Sequence, residues 1–207
     1  MALPETSFAL ESHGERRRGQ LIRIAAHVIE TEGIDALRMP RVAELAGCAR
    51  SLVYRYFPRR EDLFAAVISE FYERLEERLD PAEQRAGMRA LAAGGAARPL
   101  LESIWDVVSE IGAGGLILYA SPRVGVELGE ALAEAASRFD ARWLAPLEEA
   151  GLTELEAALV VRSALAFQIE LLERHRRGEV SREEAIDLGQ RALVALGVGL
   201  RETGGKR

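Results

Sequence analysis

Apolar residues recur at helical spacing along most of this 207-residue chain. Leu21, Ile22, Ala25, Val28 and Ile29 share one face of a helix over Glu15 to Glu32, which Gly33 ends. Two short pieces follow. Met39 to Ala46 has a small apolar face of Val42, Ala43 and Ala46 and stops at Gly47. Ala49 to Phe57 places Val53 and Phe57 one turn apart and stops at Pro58. A longer helix, Arg60 to Leu79, turns Leu63, Phe64, Val67, Phe71 and Leu75 inward. Residues 1–14 lack this pattern and are expected to be a disordered tail.

The second part of the chain is helical as well. Asp80-Pro81-Ala82-Glu83 has the residue types of a helix start. The helix it opens is weak and leads to an irregular connection at 93–98. From Pro99, the positions Leu100, Leu101, Ile104, Trp105, Val108 and Ile111 form an amphipathic helix that Gly114-Gly115 is expected to break. A short buried helix follows, then a long one from Val126 to Ala150 with Leu132, Phe139, Trp143 and Leu147 inward and Pro146 near its end. Thr153-x-x-Glu156 and Ser181-x-x-Glu184 are capping boxes. They open helices to about Arg177, where Gly178 follows, and to about Leu200. Residues 201–207 are a tail. The fold class is therefore all-α, with a head at 15–62 and a larger helical body at 63–200.

Charge changes the picture only when divided. The net charge is −6, but residues 11–63 hold 10 arginines against 8 acids. A locally basic head on an acidic body suits a DNA-binding protein, although the bias is modest. One cysteine, Cys48, excludes a disulfide within the chain and reads as a small apolar residue of the turn. His13, His27 and His175 form no metal-binding pair, and no cofactor motif, phosphate loop or nucleophile elbow occurs. An enzyme is the remote alternative. The first ten residues lack the basic and apolar regions of a signal peptide, and no run is long enough to span a membrane. A soluble, cytoplasmic protein is expected.

The second short helix carries the candidate chemistry. Opposite Val53 and Phe57 stand Arg50, Ser51, Tyr54 and Arg55, the tips a major groove admits. The stretch VAELAGCARSLVYRYFPRREDL resembles the helix-turn-helix of the tetracycline-repressor (TetR) family of bacterial transcription regulators. The matching residues are Val42, Ala43, Ala46, Gly47, Val53, Tyr54, Phe57, Arg60 and Leu63. They cover about a quarter of the chain.

The resemblance implies a helix-turn-helix head, a linking helix and a helical bundle for ligand binding and dimerisation. It implies DNA contacts from Arg41, Arg50, Ser51, Tyr54, Arg55, Tyr56 and Arg60, the last holding a phosphate at a helix start. Arg16, Arg17 and Arg18 have two readings, a DNA-backbone contact or a solvated helix end. The chain departs from the family at Arg38 and Ala49, where hydroxyl caps are usual, at Pro40, and at Leu52, which either meets a thymine methyl or shifts the helix. The resemblance also implies a homodimer through the last two helices. Small and apolar residues there are Ala157, Ala158, Val161, Ala164, Leu165 and Gln168, then Ile186, Gly189, Ala192, Leu193 and Leu196. Trp105, Tyr119, Phe139, Trp143, Phe167 and Gln168 are candidates to line a ligand pocket. The expected function is a repressor that binds an inverted-repeat operator and is released by a small, largely apolar molecule. The alternative is the same DNA-binding fold without such a ligand.

Overall fold

The computed structural model describes residues 6–95, 97–121 and 140–204, and among these every regular element is a helix. The head consists of α1 (Thr6–Glu32), α2 (Met39–Leu45) and α3 (Arg50–Tyr56), with one 3-10 turn at Ile34–Ala36. The linking helix α4 (Arg60–Arg78) follows. The body holds α5 (Pro81–Ala92), α6 (Arg98–Ile111), α7 (Gly114–Ala120), a π-helical turn at Asp140–Leu144, α8 (Ala145–Glu149), α9 (Glu154–Arg176) and α10 (Arg182–Gly204).

Glycines set several of these boundaries. Gly33, Gly47 and Gly178 have φ of 90°, 59° and 71°, the left-handed backbone that side chains resist. At Gly47 the chain turns back so that the Cys48 N–H bonds to the Ala43 carbonyl at 3.0 Å. Asp80 caps α5 by accepting from the Ala82 and Glu83 N–H groups, and Thr153 with Glu156 forms the reciprocal box that opens α9. Arg38 and Ala49 give their helices no side-chain cap.

The five apolar residues read for α1 and the five read for α4 are all buried, and they meet in one core with Val42, Val53 and Phe57. The helix α7 packs on both α1 and α4. It enters that angle because its first residues lack side chains. A Cβ at Gly114 would lie 2.5 Å from the Ala26 Cα, and one at Gly115 would lie 2.4 Å from the Phe71 Cβ. These glycines therefore start a helix rather than break one. The break is at Gly112, with φ 84°.

Other boundaries differ from the sequence reading as well. Helix α1 starts at Thr6 instead of Glu15, so most of the expected tail is helical. Gly14 lies within this helix, and one glycine costs a helix only about 1 kcal/mol. Helix α10 continues to Gly204, past the expected end at Leu200. Most of the helix expected over 126–150, including Leu132 and Phe139, lies outside the described residues. Its described end is the π turn followed by α8, with Pro146 at the second position of α8. Proline has no N–H to continue the α-helical ladder back to residue 142.

Helices α9 and α10 form a hairpin around Gly178 and pack against the body. Ala157, Val161, Leu165 and Gln168 of α9 and Ile186, Gly189 and Leu193 of α10 are buried within the chain. The outward apolar side chains are instead Leu155, Leu159 and Phe167 on α9 and Val198 on α10, exposed by 69%, 48%, 40% and 41%. An α9 that is apolar on two faces allowed either choice; contacts with α10 and α7 decide it.

Candidate nucleic-acid interface and body cavity

The outer face of α3 is set by its inner one. Val53 and Phe57 are fully buried, so Arg50, Ser51, Tyr54 and Arg55, one turn apart in pairs, all stand exposed. Tyr54 is 47% exposed, so its ring does not pack away against α1. The Arg50 side chain makes no hydrogen bond or ion pair among the described residues. Arg55 lies 5.5 Å over the Tyr56 ring. Tyr56 is half-buried, and its hydroxyl comes beside Gly14 of α1. Leu52 is half-buried and Cys48 is packed against the core of the turn.

Two expected contacts are engaged elsewhere. Arg41 bonds to Glu32 at 2.8 Å and to Glu44 at 3.1 Å, and its hydrogen bonds hold the Glu32 carboxyl below its ordinary pKa. Arg60 turns inward. Its Nη2 donates to the Ile34 carbonyl at 2.8 Å, and its guanidinium stacks 4.6 Å from the Phe64 ring centre. It ties α4 to the 3-10 turn, and any phosphate contact must compete with that bond. At the start of α4, Arg59 pairs with Asp62 at 2.8 Å, and Asp62 accepts the Arg59 N–H at 2.9 Å. The arginines of α1 are tied in as well. Arg17 donates to the Ala46 carbonyl at 3.2 Å and to Gln20 at 2.6 Å, and Arg18 lies 5.3 Å over Phe57. Arg17 thus satisfies a carbonyl at the end of α2, a use the sequence reading did not consider.

One head–body contact was not legible at all. Glu30 near the end of α1 accepts the Ala113 N–H at 3.3 Å and pairs with Arg176 at the end of α9. The three partners are separated by more than 60 positions, so no local pattern announces them.

The body holds an apolar cavity of about 40 Å³ among α4, α5, α6, α9 and Trp143. Of the pocket candidates, Trp143 and Gln168 line it. Trp105 is buried beside it and donates its indole N–H to the Gln168 Oε1 at 2.9 Å. Tyr119 packs edge-on against Tyr72, 5.5 Å between ring centres. Phe167 does not line it, because it is on the outer face of α9. Phe139 lies outside the described residues. No described helix is long and apolar enough to cross a membrane.

Comparison with known proteins finds a family match in the head and a fold match over the whole chain. The sequence model "Bacterial regulatory proteins, tetR family" matches residues 21–67, from the core of α1 into α4. The HTH-type transcriptional repressor KstR of Mycolicibacterium smegmatis is 30% identical over 85 residues, 41% of this chain and 41% of that protein. The chain thus spans about two fifths of that relative's length. The fold is similar to crystal structures of candidate TetR-family transcriptional regulators. One, from Rhodococcus sp., has a TM-score of 0.52 and 22% identity, covering 90% of this chain and 99% of that one. Another, from Mesorhizobium loti, has a TM-score of 0.50 and 19% identity, covering 90% and 96%. The head thus matches the model of this family over residues 21–67, and the helices of the whole chain follow the fold of these solved structures.

Proposed function

We propose that the protein regulates transcription by binding operator DNA as a homodimer, that it represses, and that a small, largely apolar molecule releases it. The observation that carries this reading is the outer face of α3, where Arg50, Ser51, Tyr54 and Arg55 are exposed on a helix held rigidly from behind. Arg50 is the base-reading candidate, since a guanidinium bonds two acceptors of guanine at once. Tyr54, Ser51 and Arg55 sit where they would position the helix on the backbone. Tyr56, Arg41 and Arg60 act less directly, through contacts within the head.

Dimerisation is supported by the outward stripe of Leu155, Leu159, Phe167 and Val198. Two heads joined there would present recognition helices to successive major grooves, about 34–36 Å apart. The relatives matched are regulators rather than enzymes.

A second reading, a regulator with no small-molecule ligand, is favoured by one observation. The cavity of about 40 Å³ is far below the roughly 300–1,000 Å³ of a drug-sized site. A ligand-responsive protein must open its body to bind. A ligand favouring the open form about 100-fold would weaken operator binding by about 2.7 kcal/mol.

The test is DNA binding by wild type and Arg50→Ala on sites selected from a random pool. Arg50→Ala should lose roughly 1–3 kcal/mol and relax base preference at one position per half-site. Unchanged affinity and preference would remove α3 from the proposed interface. A small molecule that lowers operator affinity supports ligand control; none doing so across a broad apolar set supports the second reading.

A further inference from the structure

We infer that the ligand site of the body is amphipathic and takes a carboxylate, with Arg142 and Gln84 holding the head group and the apolar cavity receiving the tail. This rests on the ligand-responsive reading above and names the chemical class of that ligand.

Gln84 is a buried polar residue on α5, 3% exposed. It lies one and two turns before Met88 and Leu91, which line the cavity. Arg142 precedes Trp143, another lining residue, in the π turn Asp140–Leu144. Glu76 stands one turn after Tyr72, a third lining position. Gln84 and Glu76 thus each stand one helical turn from a lining residue and Arg142 directly beside one, and contacts to Arg142 join the three. A π segment in this place is itself informative, because such segments cluster at functional sites.

The hydrogen bonding leaves donors over. Arg142 donates through Nε to the Gln84 Oε1 and pairs through Nη1 with Glu76 at 3.4 Å. A guanidinium has no acceptor, so Gln84 must present its oxygen there and its NH2 elsewhere. The Arg142 Nη2 and the Gln84 Nε2 are both buried, and neither has a hydrogen-bond partner among the described residues. These two nitrogens carry four N–H bonds on neighbouring groups. A carboxylate offers two oxygens, four lone-pair sites and no donor, and bonds from a guanidinium to it are charge-assisted. A hydroxyl brings a donor that would meet more donors. Glu76 balances part of the guanidinium charge from a more exposed position and leaves Nη2 available.

The experiment titrates the full-length protein with hexanoate, octanoate and decanoate and with the matched primary alcohols, following tryptophan fluorescence and calorimetry. The carboxylates should bind at least ten-fold tighter than the alcohols. Arg142→Gln should bring the carboxylate down to the alcohol's affinity while leaving the alcohol unchanged, and Gln84→Leu should narrow the preference several-fold. Should Arg142→Gln fail to fold, the wild-type preference and Gln84→Leu decide. Equal binding of acid and alcohol at every length overturns the inference, as does a preference that survives both substitutions. Binding of neither series by a protein that still binds its operator also overturns it, while leaving DNA binding intact. Loss of operator binding in the wild type would instead sink the wider reading.

Discussion

Replacing Gly114 by alanine tests the joint between head and body. An added methyl would lie 2.5 Å from both the Cα and the carbonyl oxygen of Ala26. Those are backbone atoms of α1 and cannot swing aside. Overpacking of this kind costs about 1–3 kcal/mol, toward the upper end where neither side can yield. Alanine recovers at most about 1 kcal/mol of helix propensity, less at the first turn of α7. The expected net loss is about 2 kcal/mol. Gly87→Ala is the control, since a Cβ there meets nothing within 4 Å in the middle of α5. It should gain up to about 1 kcal/mol from propensity alone. Urea unfolding reads both, as opposite shifts of midpoint at constant slope. Gly114→Ala should also change operator affinity, because α7 would push α1 away from α4. A Gly114→Ala protein as stable as wild type, or stabilised like Gly87→Ala, would refute the close seating of α7 on α1.

Three further outcomes are expected. Glu30→Gln should lower stability by about 1–2 kcal/mol, because it weakens the bond to the Ala113 N–H and leaves Arg176 without its counter-charge; urea unfolding checks it. Asp62 is held below the ordinary aspartate pKa, first by its hydrogen bond to the Arg59 side chain. Its stabilisation should thus be complete above the unfolded pKa of about 3.9 and vanish as pH falls through the lower folded value; acid unfolding of Asp62→Asn should lack that part of the transition. Leu159→Glu, placing a charge in the outward stripe, should shift the protein to monomer in sedimentation and weaken operator binding, with the monomer's helix content unchanged.

The head was legible because its signals are local. Gly33 and Gly47 take the left-handed backbone that closes each helix, and Val53 and Phe57 fall one turn apart, so the exposed face of α3 follows from its buried one. The capping box at Thr153 and Glu156 was readable for the same reason. What failed to show depends on distant partners. Gly114 and Gly115 look like a helix break until Ala26 and Phe71 are seen pressing on them. Arg60 looks like a phosphate ligand until the Ile34 carbonyl and the Phe64 ring claim it. Phe167 looks like a pocket wall because α9 is apolar on two faces, and only packing against α10 and α7 selects the inward one. Gln84 did leave a trace, a polar residue on the face of Met88 and Leu91, but its partner Arg142 is 58 positions away.

The most direct test of the regulatory reading is the symmetry of the DNA the full-length protein selects from a random pool. The selected sites should contain an inverted repeat with half-site centres about one helical turn apart, bound by two chains. Arg50→Ala should lose that selection while keeping weaker, salt-sensitive binding. Enrichment of no common sequence, or of one bound equally well by Arg50→Ala, would contradict the account.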